Sequence, residues 1–185
     1  MPSRKPAPKV APTKPRVVAH VPTDRRPGET LHWLMKSEPE VFSFADLLKA
    51  PKSTTGWEGV RNYQARNYMR DGMRVGDLVL FYHSNADPTG VAGLAEVVRE
   101  AYPDPAQFDR KSEYFDPKAT RDVPIWMQVD IRAVEAFPAV VSLEQLKRDA
   151  ALSGMEVTRT GSRLSVQLVS SAHFARVIEL GRTRG

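Results

Sequence analysis

Residues 56–70, GWEGVRNYQARNYMR, bring together one tryptophan, two tyrosines, three arginines and two asparagines with almost no aliphatic side chain among them. Each type has a use in holding a planar heterocycle and its phosphate. An aromatic ring stacks on the heterocycle, an amide reads its edge, and a guanidinium takes the anion. Gly56 and Gly59 bracket Trp57 and Glu58, so the backbone there can turn tightly or come close to a ligand. A lone tryptophan is more often core, and a lone arginine stripe more often a solvated helix face. The conjunction is what marks a site. It makes Trp57 a stacking platform and puts Arg61 and Asn62 at a helix start, where exposed N–H groups favour anions. Arg66, Arg70 and Arg74 follow at intervals of four as a positive stripe.

Two strand ends carry further polar groups. Lys36, Ser37 and Glu38 close an apolar run just before Pro39, and Ser84 and Asn85 close another, LVLFYH. These side chains suit the hydrogen-bonding edge of a ligand. The stretch FYHSNADP also invites a catalytic reading of His83, Ser84 and Asp87. Consecutive strand residues project to opposite faces, however, so His83 and Ser84 cannot form a nucleophile–base pair. Nothing around Ser84 resembles a nucleophile elbow. His32, His83 and His173 stand apart at no metal-ligand spacing, the chain has no cysteine, and no phosphate loop or dinucleotide fingerprint occurs. No metal and no cofactor are expected.

The elements that must position these groups follow from pattern. Residues 31–36 and 77–84 read as strands, and 90–102 as a strand paired to the second through the NADPTG turn. Residues 123–137 form a long strand and 163–169 a last one. Ser43 with Asp46, and Ser142 with Gln145, are capping signals for helices over 43–48 and 142–154. A helix over 62–71 places Ala65, Tyr68, Met69, Gly72 and Met73 on its core side, with Gly72 ending it. Another starts at Ser170 or Ser171. Residues 103–122 form a long polar loop, a length often associated with function. The sum is one α+β domain built on a small open barrel or strongly bent sheet.

Charge narrows the partner. The net +5 lies in residues 1–30, where seven basic side chains oppose two acidic ones; the rest of the chain balances twenty against twenty. That segment also holds seven of the fifteen prolines, which predicts a disordered basic tail with polyproline character. The folded part is therefore not a broadly basic surface, and phosphate contacts must be local. No apolar run is long enough to span a membrane.

The blocks HWLMKSEP, TTGWEGVRNYQARNYMR, GDLVLFYHSN, GVAGLAEVVREAYPD, YFDP, WMQVDIR and RLSVQ resemble, in order and spacing, the EVE domain family from about residue 31 to 180. The resemblance implies a PUA-like fold, a small bent or open β-barrel of mixed strands with peripheral helices, over residues 31–182. It also implies a non-catalytic module that binds nucleic acid, DNA or RNA, through a modified base. Within that frame Trp33 or Trp57 would stack on the base, with Tyr82 as another wall. Ser37, Ser84 and Asn85 would read its edge, Lys36 would donate to an acceptor, and Arg61 and Arg66 would hold phosphate. The resemblance places such a protein in the cytoplasm or at the nucleoid of a bacterium, and in the nucleus of a eukaryote. The main rival is an ASCH-like hydrolase or nuclease acting on a modified nucleoside, with Lys36 and Glu38 or Glu58 as its acid–base pair. A second is a protein-binding module that uses the proline-rich tail.

Overall fold

The computed structural model describes residue 21 and residues 25–183. Six strands form one mixed sheet: β1 (His32–Ser37), β2 (Thr54–Gly56), β3 (Leu78–His83), β4 (Gly90–Pro103), β5 (Met127–Ser142) and β6 (Val166–Val169), in the order β2-β5-β4-β3-β1-β6. β1 runs parallel to β3, with Trp33 opposite Val79 and Ser37 opposite His83, and every other pairing is antiparallel. β4 and β5 have 14 and 16 residues, well beyond a common strand length of about six. Their pairing shifts register four times between Val91 and Tyr102, and such bulges bend and twist a sheet. β2 and β6 are the free edges, and Gly56 of β2 and Ser165 just before β6 line one cleft.

Both faces of the sheet are buried, which is why β1 and β3 read as continuous apolar runs rather than alternating ones. Trp33, Met35, Trp57, Phe81 and Ile131 belong to the cluster on one side, and Leu34, Leu80, Tyr82, Phe137 and Val177 to the cluster on the other. The alternation along β1 and β3 distributes these residues. α1 (Phe44–Lys49) and α2 (Tyr63–Asn67) supply Phe44, Leu47 and Ala65 to the first cluster. α3 (Leu143–Arg148) and α4 (Ser171–Arg182) supply Leu146, Phe174 and Val177 to the second. Among the described residues no helix is long and apolar enough to cross a membrane.

The expected caps form. Ser43 and Asp46 make a reciprocal capping box, Ser142 and Gln145 make another, and Ser170 Oγ accepts from His173 N. Three expectations need correction. The helix read over 62–71 is five residues of α2 followed by a wide, π-type turn over Tyr68–Gly72, closed by Met73 N donating to Tyr68 O at 2.9 Å. The core side is as expected, since Ala65, Tyr68, Met69, Gly72 and Met73 are all buried. The arginine stripe is broken, because Arg74 lies beyond the turn. α3 ends at Arg148, where Asp149 accepts from Ala151 N and starts a separate 3-10 turn. Finally, residues 25–30, read as tail, are held against the domain. Arg25 Nη1 donates to Asp77 Oδ1 at 2.9 Å and Nη2 to the Gly72 carbonyl at 2.7 Å. Asp77 is buried and also accepts from Leu31 N, Trp33 Nε1 and Arg74 N. The tail expectation for residues 1–20 and 22–24 lies outside the described residues.

Candidate nucleic-acid interface

A cleft of about 660 Å³ opens where the two sheet edges approach, within the size range of small-ligand sites. Its walls are the end of β1 (Lys36 to Glu38), the edge strand β2 with the loop through Arg61, the end of β3 (Ser84, Asn85), Tyr114, and Ser162 to Ser165 before β6. Six of the ten side chains expected from the sequence line it: Lys36, Ser37, Trp57, Arg61, Ser84 and Asn85.

Trp57 forms the apolar wall. Its backbone N–H is tied to the Val129 carbonyl at 2.8 Å, and its ring meets Phe81 edge-on at 5.3 Å and 86°. The residue is 7% exposed and belongs to the first core cluster, so most of the indole rests in the core and only a small part of it reaches the cleft. The wall then turns at Gly59, whose φ of +78° is open to glycine and strained for other residues. A Cβ there would sit 2.8 Å from the Tyr114 ring, so the glycine is what lets that ring close down on the loop.

One carboxylate organises this turn. Asp104 is 0% exposed, and its Oδ2 accepts from Gly59 N at 3.0 Å and Arg61 Nη1 at 2.8 Å while Oδ1 accepts from Ala106 N at 2.8 Å. Arg61 also donates to the Tyr114 and Val60 carbonyls and lies over the Tyr114 and Trp126 rings at 5.2 and 5.4 Å. Its charge is thus matched by Asp104, and its guanidinium is a fixed wall rather than a free phosphate clamp.

The polar rim is partly committed. Ser37 Oγ donates to the Phe42 carbonyl at 2.7 Å, and Asn85 Nδ2 to Glu38 Oε1 at 2.8 Å. Lys36 Nζ donates to the Ser162 carbonyl at 3.2 Å and lies 5.8 Å from the Tyr82 ring centre. Burial pushes the Lys36 ammonium below the usual lysine range, against the pull of Glu156. The lysine therefore keeps two donors but holds its proton less firmly than a surface lysine.

Four expected residues are elsewhere. Trp33 is 0% exposed and its indole N–H donates to Asp77 Oδ2 at 2.8 Å, so it is core and not a stacking platform. Tyr82 points into the opposite cluster, where burial pushes its phenol up to about 12. Asn62 caps α2 with its own side chain, accepting from Gln64 N and Ala65 N, which occupies the N–H groups proposed for an anion. Arg66 lies outside the cleft, its guanidinium donating to Asn67 Oδ1 and the Ile125 carbonyl. Conversely, Tyr114 and the exposed Arg163 line the cleft without having been singled out. Tyr114 belongs to YFDP in the long loop and Arg163 to RLSVQ, so the blocks that carry the family resemblance already contained both.

A family model described as EVE domain matches residues 31–180. Human thymocyte nuclear protein 1 is 42% identical over 166 residues, covering 80% of this chain and 73% of that protein. Among solved structures, a hypothetical protein from Leishmania major matches with a TM-score of 0.79 at 50% identity, covering 84% of this chain and 97% of that one. The human THYN1 protein in complex with 5-methylcytosine-containing DNA matches with a TM-score of 0.78 at 40% identity, covering 84% and 100%.

Proposed function

The chain belongs to the EVE domain family, and we propose that it is a non-catalytic reader of a modified base in DNA, taking that base into the cleft against Trp57. The observation that carries this is the convergence on one cleft of an indole wall and hydrogen-bonding groups from three separate strand ends. The structure of the human relative with 5-methylcytosine-containing DNA supports DNA as the partner and a methylated cytosine as the base. Stacking one base on an aromatic ring contributes about 1–3 kcal/mol, and lifting a base from a duplex costs a few kcal/mol. The two roughly offset each other. Net affinity then comes from edge hydrogen bonds by Ser84, Lys36 and the cleft backbone, and from phosphate contacts by exposed cations such as Arg163.

Of the two acid–base pairs in the hydrolase reading, Lys36 with Glu38 loses support, while Glu58 lines the cleft with Lys36 and is checked by assaying turnover of modified nucleosides in Lys36→Ala. Lys36 Nζ is turned to the Ser162 carbonyl, and Glu38 accepts from Asn85 rather than from the lysine. The proposal is tested by titrating labelled duplexes that carry 5-methylcytosine or cytosine at one position. Trp57→Ala is expected to abolish the preference for the methylated duplex while keeping a cooperative melt. A preference that survives in a folded Trp57→Ala protein removes the indole from the account.

A further inference from the structure

A ladder of alternating rings and guanidinium groups leaves the cleft along its Tyr114 wall. Arg61 lies over Tyr114 at 5.2 Å and over Trp126 at 5.4 Å. Trp126 packs against Tyr63 at 5.0 Å with the rings tilted by 32°, and Arg66 lies over Tyr63 at 4.9 Å. The inner members are covered: Trp126 is buried and its indole N–H donates to Asp116 Oδ2 at 2.8 Å. The outer member is not. Tyr63 is 59% exposed, more than its role as a cover for Trp126 requires.

Arg66 differs from its neighbours in what holds it. Arg61, Arg70 and Arg74 each face a carboxylate, namely Asp104, Asp71 and Glu100. The hydrogen-bond partners of Arg66 are the neutral oxygens of Asn67 and Ile125. Its guanidinium is therefore fixed in place and, among the described residues, bonded to no anion. Partial burial, and then the positive field of Arg70, press on it, opposed in part by Tyr63 and the nearby Asp71 carboxylate, and an incoming anion would relieve the remainder.

We infer that Tyr63 and Arg66 form a second contact for the DNA strand, outside the cleft, seating a nucleotide that flanks the one whose base is read. Arg66 meets a phosphate and Tyr63 meets the sugar or base next to it. This rests on the cleft reading proposed above. From the Arg61 guanidinium in the cleft wall, Tyr63 is at most about 10 Å away by way of Trp126. At about 3.4 Å per nucleotide along one strand, that is within about three nucleotides of the extracted base. A planar π face beside a fixed cation is the combination that holds nucleic-acid strands with little sequence preference. The cleft would choose the modification, and the ledge would require that it sit in a strand.

The test compares two probes on the full chain: a short duplex with one 5-methylcytosine, and the free nucleoside 5-methyl-2′-deoxycytidine. Tyr63→Ala is expected to weaken the duplex by roughly 5- to 150-fold, the span of one stacked base, and to leave nucleoside affinity unchanged. Tyr63→Phe should retain duplex binding. Arg66→Gln should lower the slope of log affinity against log salt by about one, with Arg66→Lys restoring it. Duplex affinity equal to wild type in both Tyr63→Ala and Arg66→Gln overturns the ledge and leaves the cleft standing. An equal loss for nucleoside and duplex also overturns it, because the effect would then be on the cleft. If the wild-type chain itself fails to distinguish methylated from plain duplex, the cleft reading falls, and the ledge as a flanking subsite falls with it.

Discussion

Removing the Asp104 carboxylate should loosen one wall of the cleft, and the cost can be worked from its bonds. In Asp104→Ala the Arg61 guanidinium loses the carboxylate bonded to it, and the Gly59 and Ala106 N–H groups lose their acceptor. Breaking a buried ion pair from one side costs about 3–5 kcal/mol. Arg61 keeps the Tyr114 and Val60 carbonyls and two ring faces, and its side chain is 22% exposed, so the low end applies to that pair. Two partly buried N–H groups left without partners add about 1–3 kcal/mol between them, reduced wherever water enters. The expected total is about 4 kcal/mol. For a chain of this size that lowers the melting temperature by roughly 8–16 °C. Asp104→Asn keeps the shape and one acceptor oxygen and should lose only about half as much. The assay is thermal denaturation followed by circular dichroism, paired with duplex titration at a temperature where each variant is fully folded. Binding should weaken in both variants, because Gly59 and Arg61 are no longer held where Trp57 and Tyr114 need them. An Asp104→Ala protein within 1 kcal/mol of wild type, binding the methylated duplex equally well, refutes the role given to this carboxylate.

Arg25→Ala leaves Asp77 buried with backbone and indole donors but no cation, and should destabilise the domain by about 2–4 kcal/mol, measured by urea unfolding. Such a loss also places residues 25–30 inside the folding unit, whereas an unchanged midpoint would return them to the tail. Acid should weaken the fold through two histidines. Burial holds both His32 and His83 below the ordinary 6.5, and His83 Nε2 must stay unprotonated to accept from Phe44 N at 3.0 Å. Between each lowered folded value and 6.5 the unfolded chain binds a proton that the folded chain refuses. Stability is therefore full above 6.5 and falls as the pH drops below it. Melting temperatures across pH 7.5 to 5.0 should show this fall, and His83→Gln should reduce it to the share carried by His32.

Features carried by near neighbours in the chain were legible in the sequence. The Ser43–Asp46 and Ser142–Gln145 boxes need only a three-residue spacing, and the buried side of residues 65–73 needs only a helical period. Trp33 and Trp57 could not be told apart, because what seals Trp33 is Asp77, 44 residues away and drawn in by Arg25 as well. Arg61 suggested a phosphate clamp for the same reason, since Asp104 reaches it only when the long loop folds back. The wide turn at Tyr68–Gly72 adds backbone without altering the apolar pattern, so Arg74 after it left register with no sequence signal. β2 is three residues of Thr-Thr-Gly whose strand character comes entirely from pairing with β5.

A crystal structure of this chain with a duplex carrying a single 5-methylcytosine would show whether the cleft takes up the base. The methylated base should lie outside the helix stack, in the cleft, with its face against Trp57 and its edge toward Ser84 and Lys36. A duplex bound on another face, or one gripped here with every base still paired, contradicts the account.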